Sequence, residues 1–382
     1  MREILNNKKN LPDAKSFPYD EYLEIKAQRD EFIDQWAKSA EPKDVPVIIM
    51  PAIDRWNTNF CKDRELFLRC NLWDMAKSAE WKSDHVFPHL QPWYGVGLYA
   101  SAFGAKYVWL GEAAPQTHPI FRTVKETENI QTPEVGVSGP MKEVLDRIKW
   151  YREITNDRLP IGHTDTQSPC NTASLLVETN EYFMAMGTES ERLEPLFKAI
   201  TDTLISFSDM QSEAIGPELS SYPGHQMISH KNWKGISLSD DNMTMLSPEV
   251  YERVLVPHLN RLGEHFGGIA LHSCGTIAHN IPAYLKVKNL NQVEHAICCI
   301  EKDSDPGPNE PQGLRDGYRG SNVIVKVRMN KNEVELLDRF LAPDLKCALV
   351  ITGVESKEES EKVYNKFKDR IKRVQDGFKL RD

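Results

Sequence analysis

His272 and Cys274 are the residues of this chain best suited to hold a metal ion. They close the stretch 268–276, Gly-Ile-Ala-Leu-His-Ser-Cys-Gly-Thr, which is typical of a buried strand with a polar end. Side chains alternate along a strand, so the two share one face, roughly 6.6 Å apart along the backbone. An imidazole nitrogen and a thiolate are preferred zinc ligands. The pair therefore predicts a metal-assisted active site, with zinc as the expected ion.

A third protein ligand is expected, because catalytic zinc usually takes three and leaves one position open. Cys298 and Cys299 follow the next predicted strand, beside His272 and Cys274, and this position favours one of them. The alternative is that they only pack a loop or helix as small apolar side chains. Cys347 begins the last predicted strand and so lies a strand length from the site. Further candidates at strand ends are Glu294, His295 and Thr352.

Polar side chains also collect at the ends of the other predicted strands, where a barrel enzyme carries out its chemistry. Parallel strands are expected to be nearly all apolar, so such groups must be paired, solvated or functional. We expect three of them to orient substrate or manage protons: Asp240, Asp241 and Glu294. We expect five more to line or bind the substrate: His163, Asp165, Gln167, Lys326 and Arg328.

Each of these groups also has a structural interpretation. His163, Asp165 and Gln167 alternate and are expected to share a face, but they could simply mark where a strand reaches solvent. Asp240 and Asp241 could cap the following loop, and Asp241 has the parity of Ser237 and Ser239. Lys326 and Arg328 could hold an anionic substrate or neutralise a nearby carboxylate.

Strand and helix patterns alternate along most of the chain. This alternation predicts a (β/α)8 TIM barrel, taken here as one domain over residues 1–382 with residues 1–44 as an N-terminal helical extension. An open doubly wound sheet is the alternative, but no glycine-rich phosphate loop opens a helix. The predicted strands lie at 45–50, 107–110, 159–167, 235–242, 268–276, 291–295, 322–328 and 347–352.

Composition excludes several classes of protein. The chain has 382 residues and a formal net charge of -9, which argues against a general nucleic-acid binder. No apolar run approaches the ~20 residues that span a bilayer, and the N-terminus lacks the apolar core of a signal peptide. We therefore expect a cytoplasmic protein without a membrane anchor. Seven irregularly spaced cysteines do not form a disulfide framework, so reduced thiols are expected.

Several motifs together resemble the uroporphyrinogen decarboxylase-like superfamily over roughly residues 85–375. They are Ser-Asp-Asp-Asn-Met-Thr-Met-Leu-Ser-Pro-Glu-Val-Tyr (239–251), Leu-His-Ser-Cys-Gly (271–275), Gly-Leu-Tyr-Ala-Ser-Ala-Phe-Gly-Ala (97–105) and the stretch 167–183. The resemblance implies a (β/α)8 barrel. The His-x-Cys strand is similar to that of the methylcobalamin:thiol methyltransferase branch, where it supplies two zinc ligands and a late cysteine the third. This chain has Ile351-Thr352-Gly353 at that late position.

The resemblance implies a methyltransferase that moves a methyl group between a corrinoid and a small donor or acceptor. The corrinoid would be carried on a separate small protein, and a homodimer is compatible with this function. A metal-independent decarboxylase of a tetrapyrrole or other polycarboxylate is one alternative. However, the arginine-rich motif of the true decarboxylases is not matched after Met50, where Arg55 is the one candidate. A non-catalytic corrinoid-binding module is the other alternative.

Overall fold

The structure is a computed structural model that describes residues 11–39, 44–51, 58–297 and 308–379. Its central feature is a parallel six-stranded sheet with the order β1-β8-β7-β6-β5-β4. The sheet strands are β1 (Val47–Ile49), β4 (Ile236–Ser239), β5 (Ile269–His272), β6 (Leu290–Ala296), β7 (Ile324–Asn330) and β8 (Cys347–Thr352). A separate antiparallel pair is formed by β2 (Tyr107–Val108) and β3 (Gln116–Thr117).

Two extended segments continue this sheet and close it into a (β/α)8 barrel. The segment around 84–90 meets β1, because the Asp84 amide donates to the Val47 carbonyl at 2.9 Å. The segment 160–167 lies next to it through a parallel bridge between Leu90 and Ile161. Its other end reaches β4 through a parallel bridge between Gln167 and Ser239. Six strands and two extended segments occupy the eight strand positions of the predicted barrel.

Helices surround the barrel. The described ones are α1 (Tyr19–Lys38), α2 (Thr58–Lys62), α3 (Arg64–Glu80), α4 (Leu98–Ala102), α5 (Gly139–Ile154), α6 (Pro169–Leu176), α7 (Thr179–Thr188), α8 (Glu194–Ile215), α9 (Pro248–Val254), α10 (Val256–Phe266), α11 (Ile281–Tyr284), α12 (Pro311–Tyr318), α13 (Leu337–Phe340) and α14 (Lys357–Lys379). No described helix has the length and apolar content needed to cross a lipid bilayer.

Local sequence signals explain several helix boundaries. Ser247 begins α9 by accepting a hydrogen bond from the Val250 amide, with Pro248 at the first helical position. Gly267 ends α10 in the left-handed conformation, with φ 71°. Close to Pro257 the helical segment divides into α9 and α10, with Leu255 between them. These boundaries bring the chain back to the start of β5.

The sequence prediction was wrong for the second strand position of the barrel. Residues 107–110 were expected to be a barrel strand, but β2 pairs with β3 in a hairpin outside the six-stranded sheet. The segment 84–90, which contains polar residues and Pro88, occupies this strand position instead. Proline lacks the amide hydrogen that a sheet ladder needs, which explains why this segment carries isolated bridges and not a regular strand.

Two features fill the amino-terminal end of the barrel. Helix α1 packs Ile33 and Trp36 into an apolar cluster with Ile48 of β1 and Ile324 of β7. The segment 222–230, which we call the plug segment, contributes Ile228 to the same cluster. Because apolar side chains and the plug segment close this end, the polar side chains at the carboxyl ends of the strands define the other, functional end.

Candidate metal and substrate site

Asp241, His272 and Cys274 converge at the carboxyl end of the barrel. Their nearest ligand atoms all lie within 4.8 Å of one another. His272 Nε2 is 3.1 Å from Cys274 Sγ and 3.8 Å from Asp241 Oδ1. The Cys274 amide donates to the same Asp241 oxygen at 2.7 Å, which fixes the carboxylate against the turn after β5. A nitrogen, a sulfur and an oxygen ligand therefore face one point.

Glu294 and Arg328 support His272 on the side of its ring that faces away from Cys274. In the sheet register His272 of β5 lies beside Glu294 of β6, and Nδ1 of the buried imidazole hydrogen-bonds to the Glu294 carboxylate. Arg328 Nε donates to the other Glu294 oxygen at 2.6 Å. Burial alone would raise the pKa of Glu294, but Arg328 and then His272 outweigh it and hold that pKa well below its usual range. Glu294 is thus a buried, ionised acceptor.

The environment of His272 and Cys274 favours their protonated forms until a cation binds. Burial would lower the pKa of His272, but the Glu294 carboxylate outweighs it and raises that pKa well above its usual value. Burial raises the pKa of the Cys274 thiol, and its hydrogen bond with His272 offsets this only in part. A metal ion would displace a proton from each, as zinc does when it binds imidazole and thiolate. The donor set and its carboxylate support fit a zinc ion.

Asp240 points away from this cluster although it is the neighbour of Asp241. Its buried carboxylate accepts hydrogen bonds from Ser168 Oγ at 2.5 Å, from Tyr284 Oη at 3.1 Å and from Tyr251 Oη. Burial raises the pKa of Asp240 to about 6, against the effect of these hydroxyl donors. This carboxylate ties the end of β4 to helices α6, α9 and α11. Its hydrogen bonds within the described residues go to hydroxyl groups and not to the metal-ligand atoms, so the structure gives no direct support for the catalytic role expected of Asp240.

A chain of side-chain amides connects Asp165 with Asp241. Gln167 Nε2 donates to Asp165 Oδ1 at 3.0 Å, and Asn171 Nδ2 donates to Gln167 Oε1 at 2.9 Å. Asn171 Nδ2 also lies 3.3 Å from Asp241 Oδ2. Sequence reasoning missed Asn171. Its position four residues after Gln167, at the start of α6, was the available signal, because a helix begins there and turns this side chain back towards the strand ends.

The structure separates His163 from Asp165 and Gln167. His163 Nε2 is 2.9 Å from Ser212 Oγ on α8, and its ring packs edge-on against Tyr222. The shared face expected for His163, Asp165 and Gln167 is therefore wrong for His163, since Gln167 bonds to Asp165 and not to His163. His163 therefore contacts the helix layer, whereas Asp165 and Gln167 contact the functional end of β4.

Lys326 lies inside the barrel and binds the plug segment. It neighbours Glu294 in the sheet register, and its Nζ donates to the Gln226 carbonyl oxygen. Burial lowers the pKa of Lys326 to about 8, although Glu294 acts in the opposite direction. Gln292 on β6 holds the same segment, accepting from the Ile228 amide at 2.8 Å and donating to the Ile228 carbonyl at 3.0 Å.

The cysteines that were considered as a third metal ligand fall in different places. Cys298 and Cys299 lie outside the described residues. Cys347 pairs in register with Val325 at the start of β8, and burial raises the pKa of its thiol to about 12. Among the described residues, the third candidate ligand atom near His272 and Cys274 belongs to Asp241, which we had expected to act as an acid or an orienting group.

Residues 94–220 match the family model described as Uroporphyrinogen decarboxylase (URO-D). The resemblance predicted from the sequence is confirmed. The matched residues include Asp165, Gln167 and Asn171, while Asp241, His272 and Cys274 lie beyond them. No curated protein sequence matches this chain.

The solved structures give a similar picture of the fold. A methyltransferase from Methanosarcina mazei superposes with a TM-score of 0.60 at 15% sequence identity, over 86% of this chain and 94% of that one. At this identity the likeness concerns the fold, and it agrees with the barrel described above. The metallated homocysteine methyltransferase MmuM from Escherichia coli has 10% identity over 66% of this chain and 96% of its own length, with a TM-score of 0.27. A TM-score this low gives no information on the fold.

Proposed function

We propose that this protein is a methyltransferase that moves a methyl group between a corrinoid and a small substrate, assisted by a zinc ion. The observation that carries the proposal is the convergence of Asp241, His272 and Cys274 on one point. Three protein ligands and an open fourth position are typical of catalytic zinc. The corrinoid is proposed to arrive on a separate small protein, as the resemblance to the methylcobalamin-dependent branch implies.

The zinc ion, when bound, would act as a Lewis acid that lowers the pKa of a substrate thiol or similar group at the open position. The protein's own part is to prepare this position. Glu294 accepts from His272 Nδ1 and so leaves Nε2 for the metal. The Cys274 amide and Asn171 orient the two oxygens of Asp241. We expect the substrate to bind beside Asp165, at the far end of the hydrogen-bonded side chains that run through Gln167 and Asn171 to Asp241.

The test of this proposal is the demethylation of methylcobalamin by zinc-loaded protein with a panel of thiols, amines and alcohols. We expect acceptor-dependent loss of the methylcobalamin absorbance, and a loss of at least roughly a hundredfold in rate for Cys274→Ala. Cys347→Ala is the matched control, because Cys347 lies at the start of β8, at the opposite end of the barrel from the metal cluster. Absence of turnover with every acceptor, with and without a partner corrinoid protein, would contradict the proposal.

A decarboxylase is the second candidate, because URO-D is the family whose model is matched. It predicts activity that survives chelation and a pocket rich in cations for a polycarboxylate. The interior cations Arg328 and Lys326 instead contact Glu294 and the Gln226 carbonyl. These contacts favour a methyltransferase over a decarboxylase. A non-catalytic corrinoid-binding module predicts corrinoid binding that is unchanged by loss of Cys274.

A further inference from the structure

The two turns that carry Asp241 and Cys274 meet at Thr244 and Gly275. Thr244 lies in the 3-10 turn Asp241–Met245, which follows β4. Gly275 directly follows Cys274 in the turn after β5. A Cβ atom at residue 275 would lie 2.6 Å from Thr244 Cγ2, whereas carbon atoms in ordinary contact are roughly 3.5–4.0 Å apart. The turns therefore approach this closely because residue 275 has no side chain.

The Thr244 methyl group is the specific obstacle to a side chain at residue 275. The added Cβ would lie 3.4 Å from Thr244 Cβ and 3.5 Å from Thr244 Oγ1, which are ordinary contact distances. The backbone of Gly275 is outside the left-handed region, so its conformation suits other residues as well. Contact with Cγ2, and not backbone strain, is what reserves this position for glycine.

Both residues of this contact are held by hydrogen bonds. Thr244 Oγ1 donates to the Asp241 carbonyl oxygen at 2.9 Å, so a χ1 rotation that moved the methyl group away would break this bond. Asn309 Nδ2 donates to the Gly275 carbonyl oxygen at 3.0 Å. Asn309 is itself fixed, because its Oδ1 accepts from the Ile277 amide at 2.8 Å. A side chain at residue 275 would therefore displace one of the two turns.

We propose that the contact between Gly275 and Thr244 sets the spacing of the two turns, and thereby the affinity of the cluster for a metal ion. The hydrogen bond from the Cys274 amide to Asp241 Oδ1, at 2.7 Å, spans the same two turns and depends on their separation. Metal–ligand distances tolerate only about 0.2 Å of change, so a small displacement weakens binding. Gly275 and Thr244 are thus positioning residues, which act through the metal ligands of the proposed function.

Titration of the metal-free protein with Co²⁺ tests the proposal without methyl transfer. Co²⁺ binds nitrogen, oxygen and sulfur ligands and gives visible absorption bands that depend on the ligand geometry. We expect Gly275→Ala to bind Co²⁺ roughly tenfold to a hundredfold more weakly than the parent, with altered bands. Thr244→Ser removes the methyl group and keeps the hydroxyl. Gly275→Ala combined with Thr244→Ser should therefore bind at least roughly tenfold more tightly than Gly275→Ala alone.

Gly187→Ala is the matched control, because an added Cβ at this position of α7 would meet no neighbouring atom within 4 Å. It should bind Co²⁺ as the parent does. Thr244→Val is a second, independent variant. It keeps the methyl group and loses the hydrogen bond to Asp241, so it should also weaken Co²⁺ binding. Urea unfolding of the metal-free proteins identifies the variants that are folded, and Thr244→Val decides the outcome if Gly275→Ala is not among them.

Three results would overturn the proposal. They are parent-like Co²⁺ affinity in Gly275→Ala, a loss of affinity that Thr244→Ser does not reverse, and parent-like affinity in Thr244→Val. A parent protein that binds no Co²⁺ would overturn the metal site of the proposed function and this positioning role with it. A failure confined to the variants is thus distinct from a failure of the proposed function.

Discussion

Glu294 accepts a hydrogen bond from Nδ1 of His272, and this contact leaves Nε2 of the same ring 3.1 Å from Cys274 Sγ. The carboxylate thus sets which imidazole nitrogen faces the metal position. Arg328 in turn holds the carboxylate at 2.6 Å. Such carboxylate–histidine pairs behind a metal orient the ligand and increase its basicity.

Substitution of Glu294 by Gln is predicted to weaken zinc binding by roughly tenfold to a hundredfold. The amide cannot supply the negative charge that supports His272, and Arg328 loses its ionic partner. Competition with a fluorescent chelator measures the effect. Glu264→Gln is the control, because Glu264 forms a surface pair with Lys288. Unchanged zinc affinity in Glu294→Gln would show that this contact does not support the metal.

Lys326 is predicted to make stability depend on pH in a defined direction. Its pKa is about 8 in the folded protein, below the usual value of 10.5, so the unfolded state binds more protons between these values. The contribution of Lys326 to the free energy of unfolding therefore rises as pH increases through this range. Compared with Lys326→Met, the parent should gain about 2 kcal/mol between pH 7 and pH 10.

Urea unfolding of both proteins at the two pH values measures this difference. Lys288→Met is the control, because Lys288 is exposed and its removal should leave the pH dependence unchanged. A parent that gains nothing relative to Lys326→Met at high pH would show that Lys326 has an ordinary pKa.

Gln292 is predicted to be a main anchor of the plug segment. Gln292→Leu would leave the buried Ile228 amide and carbonyl without their side-chain partner, at a cost of about 2–5 kcal/mol in the free energy of unfolding. Denaturant unfolding checks the prediction, with exposed Gln312→Leu as the control. A cost below about 1 kcal/mol would show that water or a rearranged segment replaces these hydrogen bonds.

The residues at the ends of β4 to β7 were predictable because regular apolar runs place the strands and alternation gives each side chain its face. The parity that groups Asp241 with Ser237 and Ser239 is an example. The segment 84–90 was not predictable, since Pro88 and its polar neighbours do not resemble a strand. Nor could the sequence show that Tyr251 and Tyr284 enclose Asp240, because those contacts depend on how helices pack against the barrel.

Asp241, a candidate third metal ligand, shows the same limit. Sequence order placed Cys298 and Cys299 after the neighbouring strand and so favoured them. In the folded chain, the turn after β4 brings Asp241 within hydrogen-bond distance of the Cys274 amide, a contact between residues 33 positions apart. Such a contact follows from the register of β4 and β5, which local patterns do not fix.

The central claim is that Asp241, His272 and Cys274 hold a zinc ion, and metal analysis by mass spectrometry tests it most directly. The parent, Asp241→Asn, Cys274→Ala and Asp240→Asn proteins would be purified in parallel. We predict about one zinc per chain in the parent and in Asp240→Asn, whose carboxylate faces the tyrosines, and strongly reduced zinc in the other two. A parent without metal, or full occupancy in Asp241→Asn and Cys274→Ala, would contradict the account.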